Sequence, residues 1–293
     1  MHILVTGSQG QLAQAMRAAE NPGIAITTLG RPDLDITDAA SIARAIANHR
    51  PDIVVNAAAY TAVDKAESEA EAAFAINRDG AGNVARAAFE TGLPVIQIST
   101  DYVFPGDKTA PYLEADATGP TGVYGRSKLA GEEAVAAANP RHVILRTAWV
   151  YSRFGANFVR TMLRLAADRE MVRVVADQHG TPTHAPDIAA GIIAVSAHVL
   201  KHPHARDWRG VFHMVSKGET TWAGFAREIF DQSARLGGPS ARVEPISTAD
   251  YPTPARRPAN SRLDISRFTA TFGHTLPHWS AGVPETVQAL LNR

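Results

Sequence analysis

Tyr124 and Lys128 stand four residues apart in the run Tyr-Gly-Arg-Ser-Lys. On a helix that interval puts both side chains on one face. An ammonium beside a phenol favours the phenolate and lowers the tyrosine pKa, which makes the phenol a usable proton donor near neutral pH. Alone, the pair also fits two solvent-facing helical residues. A second signal stands upstream, where Ser99 and Thr100 close a short apolar run. Ligands of open α/β sheets sit at the C-terminal ends of strands, and a hydroxyl there can hydrogen-bond a carbonyl under reduction. The alternative for Thr100 is a strand-end hydroxyl that satisfies nearby backbone.

A reduction needs a hydride donor, and the chain start offers a place for one. Gly7-Ser-Gln-Gly10-Gln11-Leu12-Ala13 follows an apolar strand and opens a helical stretch. Glycines allow a tight turn and close approach to a pyrophosphate, while the helix N-terminus supplies N–H donors and partial positive charge. Ala13 is small enough for close helix–strand packing. At the end of the second strand stands Gly30-Arg31 rather than an acid. An arginine suits a ribose 2′-phosphate, which favours NADPH and leaves NADH as an option; an ordinary surface arginine is the alternative. Asp35 and Ile36 are candidates for the adenine edge, and Asp38 for a helix cap.

The elements that must position these groups alternate. Strands are expected over 3–5, 24–29, 53–55, 94–98 and 142–146, and helices over 11–20, 39–48, 69–91 and 127–138. Near-continuous apolar strands separated by helices of this length predict βαβ units and a parallel sheet covered on both faces. Beyond Tyr151 the texture changes: a helix over 158–167, a strand over 172–176, a helix over 186–200, a strand over 211–215, helices over 222–235 and 284–291, and an ordered proline- and arginine-rich loop over 251–260. The expected fold class is α/β, a Rossmann-type doubly wound parallel sheet with a smaller, discontinuous α/β substrate-binding lobe. Residues 1–150 would form the NADP(H)-binding domain, with 172–200 returning to it, and 151–293 mainly the substrate lobe. The cleft between them would hold both ligands.

Composition removes other chemistries. With 29 basic and 29 acidic residues the net charge is zero, which argues against nucleic-acid or membrane electrostatics. The 293 residues contain no cysteine, so disulfides, thiolate metal sites and thiol nucleophiles are excluded. The opening apolar run is too short for a signal peptide, and no run reaches a membrane span; a cytoplasmic protein is expected. His202 and His204 sit in a polar connection and are expected to face solvent.

Longer segments carry a resemblance. The glycine turn, Asn56-Ala-Ala-Ala, strand-end Thr100 and Tyr124-x-x-x-Lys128 together resemble an extended short-chain dehydrogenase/reductase. Asn56 to Glu67, Ser99-Thr-Asp-Tyr-Val-Phe104, Val123 to Glu132, Arg146 to Tyr151, Asp177 to Thr183 and Arg257 to Arg262 narrow this to the dTDP-4-dehydrorhamnose reductase family. The resemblance runs from the first strand to about Asp264. It implies Thr100, Tyr124 and Lys128 as a catalytic trio. Tyr124 would protonate a sugar C4 oxygen while a nicotinamide delivers hydride to C4. Lys128 would tune Tyr124 and bind the nicotinamide ribose, and Thr100 would orient the keto oxygen. It implies Gly7, Gly10, Gln11 and Leu12 at the pyrophosphate, and Ala58, Ala59 and Tyr60 along the cofactor ribose. Thr61, Val63, Asp101 and Trp149 would line the sugar end, with Asn157, Arg257 and Asn260 towards the nucleotide diphosphate. Arg256 and Arg257 offer forked donors suited to a diphosphate, or form a solvated pair.

Some relatives bind magnesium through carboxylates at a subunit contact. No such cluster stands out here, so no metal is expected, and a homodimer is one option for assembly. Two other readings stay open: a non-catalytic NADP(H)-binding regulatory subunit, as in one relative that serves methionine adenosyltransferase, and a reductase, epimerase or dehydratase of another nucleotide-activated deoxysugar. The intact trio argues against the first. A dehydratase would want more acid/base carboxylates than Asp101.

Overall fold

The computed structural model describes residues 1–20 and 22–292. Six strands form the central sheet: β1 (His2–Thr6), β2 (Ala25–Leu29), β3 (Ile53–Asn56), β4 (Val95–Thr100), β5 (His142–Thr147) and, much later in the chain, β10 (Gly210–His213). Their spatial order is β10-β5-β4-β3-β1-β2, and every pairing is parallel. The order doubles back beside β1 and sends every strand's C-terminal end to one edge, where a ligand crevice forms.

Alternation along the strands explains the two layers. Ile3, Val5, Ile53 and Val55 point to one face and pack with helices α1 (Gln11–Ala18), α8 (Ala185–Lys201) and α10 (Ser266–Phe272). Leu4 and Val54 point to the other and pack with α2 (Ala39–His49), α5 (Ala81–Glu90) and Val135 of α6 (Val123–Ala138). Each fully buried aliphatic side chain contributes roughly 1.5–3 kcal/mol against exposure. Asp38 caps α2 by accepting from Ala40 N–H at 2.9 Å, in keeping with its position before that helix.

A separate apolar cluster gathers α7 (Phe158–Ala166), α9 (Trp222–Arg235) and α11 (Val283–Leu291) against β7 (Met171–Val175) and β12 (Arg242–Ile246). Here the structure differs from expectation. The strand near 172–176 pairs with β12 and not with the central sheet, so the return to that sheet begins with α8 and ends with β10. Nothing in the sequence marks β12 as a strand, because Pro245 removes a ladder donor; in a two-stranded sheet an edge tolerates it.

The helix expected over 69–91 is three pieces. α3 (Val63–Ala66) precedes α4 (Ala70–Phe74), a π-helical turn Ala75–Gly80 and then α5. Such turns insert a residue into the helical ladder and gather at functional sites. This one carries the buried Asn77.

Among the described residues, no helix is long and apolar enough to cross a membrane. His202 and His204 are exposed.

Candidate active site

The turn after β1 is built for close approach. Gly7 has φ +90°, and a Cβ there would stand 3.0 Å from the Ala58 Cα. Its N–H donates to the Leu29 carbonyl at 2.7 Å, which pins the turn to the end of β2. Gly10 caps α1 without a side chain, so the first-turn N–H groups are left for a ligand. Beneath the turn runs a buried polar chain. Thr6 Oγ1 donates to Asn56 Oδ1 (2.5 Å), Asn56 Nδ2 donates to Gln97 Oε1 (2.7 Å), and Ala58 N–H donates to Thr6 Oγ1 (3.2 Å). It holds the ends of β1, β3 and β4 in one register. This cradle fits a dinucleotide pyrophosphate.

Arg31 is exposed just beyond that turn. Asp35 is engaged locally: its carboxylate accepts from Thr37 N–H (2.9 Å) and Oγ1 (2.7 Å), which lowers its pKa. Ile36 is buried in the core beneath Gly80, so its side chain serves packing. Leu12 likewise packs against the core beside α1. Gln11 turns its side chain to the later segments, accepting from Ser152 Oγ at 2.8 Å and from Asn157 Nδ2 at 3.1 Å.

Helix α6 carries Tyr124 and Lys128. Glu67, just past α3, accepts from Val123 N–H at 2.8 Å and caps this helix from a distance, since Gly122 has no side chain to do so. Tyr124 and Lys128 fall on its buried stripe. Two glycines bring that stripe against its neighbours: a Cβ on Gly125 would lie 2.2 Å from the Tyr102 carbonyl, and one on Gly131 2.0 Å from that of Asn77.

The Lys128 ammonium donates to the Ile98 carbonyl at 2.7 Å. Burial pulls its pKa down to about 8, against an upward pull from Glu132. Burial pushes the Tyr124 phenol well up, opposed by contact with Thr100, while Asp101 and Tyr102 push it further up. The expectation that the Tyr124 pKa is lowered is thus corrected: it is raised. Burial sets the direction, the ammonium is held on a strand carbonyl, and the phenol keeps its proton. Thr100 Oγ1 donates to Asp101 Oδ1 at 3.0 Å. Burial raises Asp101 to about 6, with Ser261 and Thr100 opposing. The Tyr102 ring meets Tyr124 edge-on, centroids 5.4 Å apart.

Two buried devices around α6 carry no assignment from the sequence. Asn77 Oδ1 accepts from Tyr60 N–H (2.9 Å), and its Nδ2 donates to the Tyr60 carbonyl (3.1 Å) and to Ser127 Oγ (2.9 Å). Ser127 Oγ in turn donates to the Tyr124 carbonyl at 2.8 Å. One amide thereby ties the Tyr60 backbone to α6. The only signal for it is a polar residue within an alanine-rich run. The second device is Glu132, held by Arg146 and Ser99.

A second group of side chains comes from many segments. Trp149 follows β5 with φ +48°, a left-handed conformation rare for a bulky residue. It stacks on Trp222, ring centroids 3.7 Å apart and planes 12° apart. Trp222 Nε1 donates to Gln178 Oε1 (3.1 Å), and Gln178 Nε2 donates to Thr248 Oγ1 (3.0 Å). Thr61 is exposed and Val63 half-buried at the start of α3. Ala58, Ala59 and Tyr60 are half-buried, and the Tyr60 hydroxyl donates to Glu69 at 2.6 Å.

Three residues expected near a diphosphate are engaged within the protein. Asn157 caps α7 through Oδ1 and donates from Nδ2 to Gln11 Oε1 and the Ser152 and Phe154 carbonyls. Asn260 donates to the carbonyls of Lys108 and Ala110 and accepts from Arg262. Both asparagines tie segments together through these bonds. Arg257 pairs with Asp64 at 2.6 Å and donates to the Tyr102 hydroxyl at 3.1 Å, closing the 251–260 loop over α3. Arg256 is exposed. Among the described residues, no group of three or more His, Asp or Glu is placed to hold a metal ion.

Comparison with known proteins agrees with this geometry. The RmlD substrate binding domain profile matches residues 1–292. A dTDP-4-dehydrorhamnose reductase of Sinorhizobium fredii is 52% identical over 291 residues, 99% of this chain and 98% of the relative. A Clostridium acetobutylicum dTDP-4-dehydrorhamnose reductase structure superposes with TM-score 0.89 at 37% identity, covering 100% of both chains. A Bacillus anthracis dTDP-4-dehydrorhamnose reductase, solved with NADP, superposes with TM-score 0.89 at 35% identity, over 97% of this chain and 98% of that one. With the fold, the glycine turn and the profile matching from end to end, the chain belongs to the dTDP-4-dehydrorhamnose reductase family.

Proposed function

We propose that this protein is an oxidoreductase that reduces the 4-keto group of dTDP-4-dehydro-L-rhamnose to give dTDP-L-rhamnose, with NADPH as the reductant. The observation that carries the reading is the meeting of Tyr124, Lys128 and Thr100 at the C-terminal end of β4, in a chain matched end to end by reductases of that name. NADP in the Bacillus anthracis relative and the cradle around Gly7 support the cofactor.

When bound, NADPH supplies a hydride to the sugar C4. Tyr124 Oη gives its proton to the C4 oxygen, so the carbonyl becomes a secondary alcohol. Burial favours this role by keeping the phenol protonated. Lys128 holds the nicotinamide ribose and offers positive charge as the phenol gives up its proton. Thr100 orients the keto oxygen, and the 58–60 backbone fixed by Asn77 guides the ribose. Arg31 takes the 2′-phosphate. Trp149, Thr61, Val63 and Asp101 line the sugar end, and Arg257 reaches the diphosphate. The cleft between the two parts closes on both reactants, which alignment for hydride transfer requires. We infer a cytoplasmic location for this reaction.

Loss of NADPH absorbance on mixing with dTDP-4-dehydrorhamnose tests the reading, with NADH in parallel. Oxidation with dTDP-L-rhamnose as the single product is expected. Tight NADPH binding without oxidation would sink the reading in favour of a regulatory subunit or another sugar. Arg31→Ala is expected to weaken NADPH roughly tenfold more than NADH, since it removes a charge-assisted contact only NADPH makes; equal weakening would remove Arg31 from the 2′-phosphate.

A further inference from the structure

One buried stripe of α6 carries three chemistry-bearing side chains a turn apart, Tyr124, Lys128 and Glu132. The first two have a place in the proposed reaction. The third sits in a three-way clasp. Arg146 of β5 donates from Nε to Oε1 at 2.9 Å and from Nη2 to Oε2 at 2.6 Å, and Ser99 of β4 donates to Oε1 at 2.5 Å. Glu132 and Arg146 are each 4% exposed and Ser99 3%. Ser99 and Arg146 are register partners, and Ser99 immediately precedes Thr100. A single carboxylate therefore fastens the helix bearing Tyr124 and Lys128 to the strand bearing Thr100 and to the strand beside it.

Stability alone does not explain the clasp. An ion pair this far from water adds little over apolar side chains of the same volume. Here it also leaves Arg146 Nη1 without a partner. We propose that Glu132 is a positioning residue for the reaction: clasped by Arg146 and Ser99, it locks α6 onto β4 and β5 and gives the Lys128 ammonium an anionic neighbour one turn away. Burial draws the lysine down to about 8, and Glu132 is the group that opposes it. The other buried or half-buried titratable groups around it include Tyr124 on α6, Asp101 and Tyr102 after β4, Arg146 on β5, and His213 on β10; Arg126 and Glu133 on α6 and Arg78 on the π-helical turn are exposed. Burial and then Arg146 hold His213 down to about 3, so it adds no positive charge at working pH.

The inference rests on the proposed reaction for its activity readout. The test uses the full-length protein in two variants. Glu132→Leu/Arg146→Met removes both charges and keeps the packing, so it leaves no unpaired buried ion. Its kcat is expected to fall roughly 10- to 100-fold, as misplacement of a catalytic group does. The alkaline limb of its kcat/KM profile is expected to move to lower pH by roughly one unit. A merely structural clasp would change the melting temperature and leave that limb in place. Titration of the Lys128 ε-carbon by NMR reads the same shift without turnover, so an inactive wild type would sink the proposed reaction and still leave this inference decidable. An unshifted limb and an unshifted Lys128 titration overturn it. Ser99→Ala keeps both charges and covers the case in which the double variant does not fold. Its kcat is expected to fall severalfold with NADPH affinity retained, and wild-type kcat there also overturns the proposal.

Discussion

The two walls proposed for the site are made in opposite ways. The wall proposed for catalysis is one helix seated on two adjacent strands, and its side chains follow a simple interval: 124, 128, 132. The facing wall draws Trp149 from the end of β5, Gln178 from a loop, Trp222 from the start of α9 and Thr248 from beyond β12. The first is buried and held by charged and amide clasps. The second is half-buried except for Gln178, which is buried, and is held by ring stacking and a short hydrogen-bonded chain. Proton transfer needs sub-ångström placement, which a helix face fastened at several points supplies. Recognition of a sugar needs shape, which segments from several parts of the chain can vary independently.

Substitutions on the two walls should therefore separate turnover from substrate affinity. The largest effect is expected from Tyr124→Phe: kcat falls by about 10²–10⁴ while NADPH affinity is nearly kept, because the change deletes a proton donor and little volume. Near-normal turnover would place the acid elsewhere and dissolve the contrast. Next comes pH. Lys128 is charged below about 8 and loses its proton as pH rises through that value. Hence kcat/KM is expected to decline roughly tenfold per unit above pH ~8. A profile flat to pH 10 would show that the charge of Lys128 is not needed.

On the other wall, Trp222→Ala frees one face of Trp149. The KM for the nucleotide sugar is expected to rise up to about tenfold, matching the ~1.5 kcal/mol upper range for an aromatic pair, with kcat little changed. Loss of the coupled indole signal in near-ultraviolet circular dichroism would verify that the stack is gone. A fall in kcat with constant KM would mean that the two walls are not separable. The smallest effect is expected from Glu67→Ala, which removes the cap on α6 and costs about 1 kcal/mol of stability in denaturant melts. An unchanged melt would mean that the helix start is held by its other contacts.

Several features are legible in the chain as written. The apolar strands, the glycine turn after β1 and the limits of α9 at Trp222–Arg235 follow from composition and period within short windows. The Tyr124/Lys128 interval is of the same kind. Other features are not legible there. Glu132 reads as an ordinary helical acid until Arg146 is placed against it. The partners of Asn157 and Asn260 at Gln11, Lys108 and Ala110 lie far off in the chain and could not be read from it. The π-helical turn at Ala75–Gly80 is hidden within a run that reads as one continuous helix.

The sequence by itself determined the strands of the central sheet and most of the helices around it, the tight glycine turn after β1, and which helix face would carry a phenol and an ammonium. Those properties depend on neighbours within a few residues. Tertiary structure decided which polar groups were consumed as ties, that Trp149 would be held in a left-handed conformation against Trp222, and that burial would raise Tyr124 and lower Lys128. Those outcomes depend on desolvation and on partners as distant in sequence as Gln11 from Asn157 or Tyr102 from Arg257, which meet only when the sheet and its later segments have packed.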